Sequence, residues 1–233
     1  MSERHPLASL LSALGHGKVD ILPPADVGYL DRLLLDGSLV RVLPAASLSA
    51  VPLEHMRLWC HQQAAYGLPT TELVDWLRAR IAGRRAIEIG AGNDSLGRAL
   101  GIPCTDSRMQ ERPEIAAHYR LMGQAVIAYP ADVEKLDALE AVAEYKPEVV
   151  IGSWITHRYR ADEHERGGNA YGVDEDALLD AGMTYIHIGA TTSHDKKRIL
   201  SRPHEKFRFD WLAGRGESRD RVIWVWNGSG KAR

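Results

Sequence analysis

Long apolar runs, cysteine pairs and an export signal are missing from this sequence, and each absence excludes something. No stretch approaches the roughly 18 apolar residues of a membrane helix, so neither a span nor a membrane partner is expected. The opening residues, MSERHPLASLLSALGHGK, carry no signal-peptide cleavage pattern, which argues against export. The 2 cysteines, Cys60 and Cys104, have neither zinc-ligand nor redox-motif spacing, and read as reduced thiols of a cytoplasmic protein. The 10 histidines form no compact His-x-x-x-His pattern, so no metal is expected. Internal repeats and low-complexity tracts are absent as well, which sets aside solenoids and collagen-like chains.

What is present is an ordinary globular mixture, 45% hydrophobic and 26% charged over 233 residues. That length suits one good-sized domain with a modest appendage. The net charge of −2 conceals an asymmetry: residues 194–233 hold 11 Lys and Arg against 5 Asp and Glu, and residues 1–193 hold 18 against 26. A basic final sixth fits either an anionic substrate or a solvated face with its counter-charges folded nearby.

The pattern changes near residue 85. Before it, the apolar spacing is mostly helical. Leu7, Leu10, Leu11 and Leu14 mark a short helix, and Val27, Leu30, Leu33 and Leu34 mark another over 25–35. A short strand is expected at 39–43, then helices from Pro52 to about Tyr66 and from Thr70 to Ile81. Tyr29 to Val42 also resembles the helix-then-wing segment of winged-helix domains. Residues 1–60 carry only 5 Lys and Arg against 6 Asp and Glu, however, and DNA affinity rests largely on phosphate neutralisation. A helical cap over residues 1–65 is therefore preferred.

Beyond residue 85, strand candidates alternate with helices. They are 85–90, 102–106, 125–129, 148–154, 184–189, 206–211 and 221–226, with helices over 133–145 and 174–181. Such alternation implies a mostly parallel sheet covered on both faces, and the last two strands could pair antiparallel.

The first of these strands ends in Glu88-Ile89-Gly90-Ala91-Gly92-Asn93-Asp94. Glycines permit a sharp turn and a close ligand approach. A carboxylate at a buried strand end is costly unless something hydrogen-bonds to it. A dinucleotide loop reads G-x-G-x-x-G, yet Ser95 holds the third position and Gly97 comes two residues late. An acid at position 88 suits a pyrophosphate poorly and a sulfonium with an ammonium well.

On Glu88, Gly90 and Gly92, and on the order of elements over roughly 66–227 of an α/β domain spanning 66–233, the sequence resembles the class I S-adenosylmethionine-dependent methyltransferases. The resemblance implies a Rossmann-like α/β fold: a mostly parallel seven-stranded sheet with a C-terminal antiparallel strand, beside the helical N-terminal cap. It implies S-adenosylmethionine as cofactor, held at Glu88, Gly90, Ala91, Gly92, Asn93, Asp106, Asp132, Ser153 and Trp154. In that frame Asp106 faces the ribose hydroxyls, Asp132 lies near the adenine, and 66–71 forms a lid over the methionine end. Residues 153–157 would line the transfer site, with His157 and Tyr159 as candidate catalytic groups.

The sequence departs from that pattern at Asp94, where the family has a third loop glycine, and in a short helix before Asp106. No Asn-Pro-Pro-Tyr or Asp-Pro-Pro-Tyr tetrad follows the fourth strand, which counts against methylation of DNA base amino groups. The acceptor is left as a small molecule or an anionic biopolymer, nucleic acid included. A non-catalytic binding module is the other reading. The polar stretch 158–172 is expected to cover the substrate pocket. His187 reads as a core histidine, and Trp224 and Trp226 as sheet packing.

Overall fold

A computed structural model describes residues 25–158 and 167–228. The helix expected around Leu7–Leu14 and the candidate Tyr159 lie outside them.

Seven strands form the central sheet: β1 Ala86–Ile89, β2 Cys104–Asp106, β3 Val133–Lys135, β4 Val149–Ser153, β5 Thr184–Ala190, β6 Glu205–Phe207 and β7 Arg221–Trp226. Their order is β3-β2-β1-β4-β5-β7-β6. β1 to β5 are parallel, and β7 runs antiparallel to both β5 and β6. This is the α/β, mostly parallel sheet that the resemblance implied.

Strand residues divide by parity between two cores. Val149, Ile151, Ile186, Ile188, Ile223 and Val225 face helices α3 (Thr71–Ile81) and α4 (Ser95–Leu100), meeting Leu73, Leu77 and Leu96. Val150, Tyr185, Val222, Trp224 and Trp226 face the other way, toward Ala141 of α6 (Ala138–Tyr145) and Leu178 of α7 (Glu175–Asp180). Each fully buried aliphatic side chain here contributes about 1.5–3 kcal/mol. Trp224 and Trp226 are thus packing residues.

A third core lies upstream. α1 (Tyr29–Leu34) leads into a small antiparallel ribbon, Leu35–Asp36 with Leu39–Val40, and α2 (Leu53–Gln62) follows. Leu30, Leu34, Met56 and Trp59 bury one another, and the Trp59 indole N–H donates to Asp31 Oδ1 at 2.8 Å. Gly67–Leu68 then pairs antiparallel with Ala213–Gly214, tying this region to the segment before β7.

The third strand departs from expectation. Residues 125–129 form no strand; β3 is Val133–Lys135, at the edge of the sheet. The helix expected from Val133 starts only at Ala138, where Asp137 accepts from Leu139 N and Glu140 N while the Glu140 carboxylate accepts from Asp137 N. That capping box sets the start. β6 is also shorter than expected, because Phe209 leaves the strand to stack on Trp211, ring centroids 4.2 Å apart.

Candidate functional site

The glycine loop follows β1 at the carboxyl edge of the sheet. Gly90 and Gly92 have φ of +59° and +56°, a region that side-chain-bearing residues avoid. A Cβ on Gly90 would sit 2.5 Å from Ile155 Cγ2, so this backbone also passes too close to its neighbour for a side chain. Asp94, at the place of the third loop glycine, takes the same left-handed conformation with φ of +60°. Aspartate tolerates this better than most residues.

Two acids brace the loop from below. Glu88 is buried, and its Oε2 accepts from the Gly97 N–H of α4 at 2.6 Å. Burial pushes the Glu88 carboxyl up to about 8, against the pull of that N–H, with Asp94 and Asp106 adding to the rise. Asp106, the last residue of β2, accepts from Gly92 N at 3.0 Å and from Arg108 N at 2.7 Å. Burial raises its pKa too, opposed by these donors.

Gly97 carries weight that its late position in the loop hid. A Cβ there would lie 2.7 Å from Glu88 Oε2 and still closer to Cys104 Sγ. The glycine lets α4 approach β1 and β2 closely enough for its N–H to reach Glu88. That is the helix–strand packing role of the last glycine in dinucleotide loops, filled here two residues further on.

Above the loop opens a cleft. Glu88, Gly90, Ala91, Gly92 and Asn93 line it, together with Asp106, Ser153 and Trp154, so eight of the nine expected cofactor residues come together. Asp132 is the exception. It precedes β3 instead of following it, lies outside the lining, and neighbours the buried Asp94, whose pKa burial raises. The acid that does follow β3 is Asp137, occupied in capping α6.

Three segments wall the cleft. Tyr66 to Pro69 contribute from upstream, where a lid was expected. Asn169, Tyr171 and Gly172 come from the stretch expected to cover the pocket. The third segment, carrying Gln110, Tyr119, Ile127 and Tyr129, escaped sequence reading. It surrounds α5 (Pro113–Leu121) and includes the residues mistaken for a strand. No local periodicity marks it, since its partners are distant in the chain.

Trp154 holds the end of β4 with φ of +58°, an outlier for a bulky residue. Its N–H donates to Ile188 O at 2.7 Å, and its ring meets His194 edge-on at 5.5 Å and Tyr66 at 6.3 Å. Thr156 lines the cleft but His157 does not. His157 instead borders a neighbouring pocket, beside Arg158 and Glu175. The cause is local: Val173 N bonds Thr156 O and Asn169 N bonds His157 O, which pins this backbone against the 167–173 stretch. His187 is fully buried and stacks on Trp224 at 5.6 Å, as a core residue does, with its Nδ1 3.4 Å from the Tyr185 hydroxyl. Burial, with Lys197 nearby, holds its pKa well below the usual histidine range.

The charged residues of the described lining are two acids, Glu88 and Asp106, and one arginine. That arginine is Arg221, and its guanidinium donates to the carbonyls of Leu212, Gly214 and Gly216 at 2.6, 2.9 and 2.8 Å. It fastens the 212–216 turn, and with it the pairing to Gly67–Leu68. Arg221→Met should therefore lower the unfolding free energy by about 2 kcal/mol, read by urea denaturation. Among the described residues no group of three or more His, Cys, Asp or Glu could hold a metal ion, and no helix is long and apolar enough to cross a membrane.

No family model and no curated protein matches the chain. Among solved structures it is similar to a Thermoplasma acidophilum protein, 19% identical over 67% of this chain and 89% of that one, TM-score 0.34. It is also similar to a candidate RNA methyltransferase from Pyrococcus horikoshii, at 13% identity, 81% and 96% coverage and TM-score 0.34. A third likeness is to a candidate O-methyltransferase from Klebsiella pneumoniae, at 11% identity, 95% and 96% coverage and TM-score 0.33. Likenesses at these scores carry no weight for the function of this chain.

Proposed function

We propose that the cleft binds S-adenosylmethionine and that the protein transfers its methyl group to an acceptor, a small molecule or an anionic biopolymer. The observation that carries this reading is the pair of buried acids, Glu88 and Asp106, that brace a glycine loop lining the cleft. Such a site favours a cationic ligand and disfavours a pyrophosphate.

The residues present fit the group. Gly90 and Gly92 let the loop take its left-handed turns along the cleft. Glu88 supplies a carboxyl at the loop that a bound cation would draw to its ionised form, and Asp106 presents a carboxylate for hydroxyls. Tyr66 and Trp154 wall the cleft together, their ring centroids 6.3 Å apart. When bound, S-adenosylmethionine supplies an electrophilic methyl group. The chain's own part is to hold that ligand and an acceptor lone pair in line, since orientation supplies much of the rate in such transfers.

The binding-module reading draws on one observation: His157, the candidate base, borders the second cavity and not the cleft. Incubation with methyl-labelled S-adenosylmethionine and cell extract separates the two. Transfer of label to an extract component, lost in Asp106→Ala, is the expected result. Tight binding without transfer would overturn the catalytic reading and leave the module.

A further inference from the structure

The pocket beside His157 holds a carboxylate that the reading above leaves unused. Glu175, the first residue of α7, lines that pocket and is only 3% exposed. Its Oε1 accepts from the Tyr185 hydroxyl and from Lys197 Nζ, both at 2.7 Å. Its Oε2 is buried and has no hydrogen-bond partner. A buried acceptor without a donor costs about 1–3 kcal/mol, and more when the group is charged, so a donor brought to this oxygen is favoured.

The surrounding charges select the donor. Fully buried Lys197 already balances Glu175. Of the other acids in the lining, Asp174 faces Arg158 at 3.9 Å, and Asp176 faces Arg198 at 3.5 Å and Arg202 at 2.8 Å. Each acid thus has its cation. Lys196 lines the same pocket, is exposed, and forms no ion pair among the described residues. A ligand ammonium at Glu175 would sit across one carboxylate from Lys197 and be repelled by it, whereas a neutral O–H would not. We infer that this pocket is a second binding site, for a small hydroxylated anion. The ligand's hydroxyl donates to Glu175 Oε2, and its anionic group lies toward Lys196. Lys196 and Arg198 belong to the basic final sixth of the chain, which this site supplies with an anionic partner. The inference does not depend on what the cleft binds.

The test is NMR titration of the isotope-labelled protein with glycolate, acetate and glycine, which share a carboxylate and differ in carrying a hydroxyl, nothing or an ammonium. Glycolate should shift the amide signals of Val173, Glu175 and Lys196 and bind about tenfold more tightly than acetate, the worth of a hydrogen bond to a charged acceptor. Glycine should show no such gain. Lys196→Ala should weaken glycolate and acetate by the same factor and leave their ratio unchanged, while Glu175→Gln should shrink the ratio. Should Glu175→Gln fail to fold, the wild-type ratio decides alone. Equal affinity for glycolate and acetate would mark an adventitious ion only and overturn the site. Shifts confined to residues away from the pocket, or no binding of glycolate, would overturn it as well.

Discussion

Glu88→Gln should weaken S-adenosylmethionine binding more than a hundredfold at pH 8 and remove most of its pH dependence. In the ligand-free protein burial holds the Glu88 carboxyl near 8, so at pH 6 it is almost wholly protonated. A permanent sulfonium favours the ionised form. Wild-type affinity should therefore rise by up to about tenfold per pH unit between pH 6 and 8, with one proton released on binding. The sign reverses for stability of the ligand-free chain. Between the ordinary carboxyl value of 4.5 and about 8, the folded state holds a proton that the unfolded state has lost. Stability therefore falls as pH rises through that window, and this slope should flatten in Glu88→Gln. Calorimetry at four pH values measures the first effect and urea denaturation the second. A wild-type affinity that does not change with pH would contradict the assignment.

Gly97→Ala is the second large effect, expected to cost about 3 kcal/mol and to abolish ligand binding with it. The new methyl would meet Glu88 Oε2 at 2.7 Å and press harder still on Cys104 Sγ, and both residues are fixed in sheet strands. Helix α4 must retreat, which breaks the 2.6 Å bond from Gly97 N to Glu88. That leaves a buried carboxyl without its donor and shifts the glycine loop at the start of the helix. Adding Cys104→Ala removes the tightest clash and should restore about 1 kcal/mol. Full stability of Gly97→Ala by urea denaturation would show that the helix can yield.

How much of this was legible depended on whether a segment's role was local. β1 and its loop stood out because a fully buried strand is mostly apolar and a left-handed turn favours glycine. β7 was legible for the first reason: all six residues from Arg221 to Trp226 are buried. β3 was not, because an edge strand of three residues with Val133 alone buried carries no periodicity. The apolar run at 125–129 looked more like a strand, yet Ile127 and Tyr129 use their side chains to wall the cleft. That exchange misplaced the acid after the third strand from Asp137 to Asp132. Acids at strand ends could be found by position along the chain. Tyr119, Tyr129 and Gln110 could not, since only the folded chain brings them over Asp106. His157 was misjudged for a related reason: the backbone bonds that hold it at the second cavity come from residues 169 and 173.

The most direct measurement is thermal unfolding of the protein with S-adenosylmethionine, S-adenosylhomocysteine, NAD or NADP. A ligand present at 100 times its dissociation constant adds about 2.7 kcal/mol, a shift of roughly 5–10 °C for a domain of this size. The paired acids at the glycine loop predict that shift with the two adenosyl-sulfur compounds and none with the two dinucleotides. A shift with NAD or NADP, or with none of the four, would contradict it.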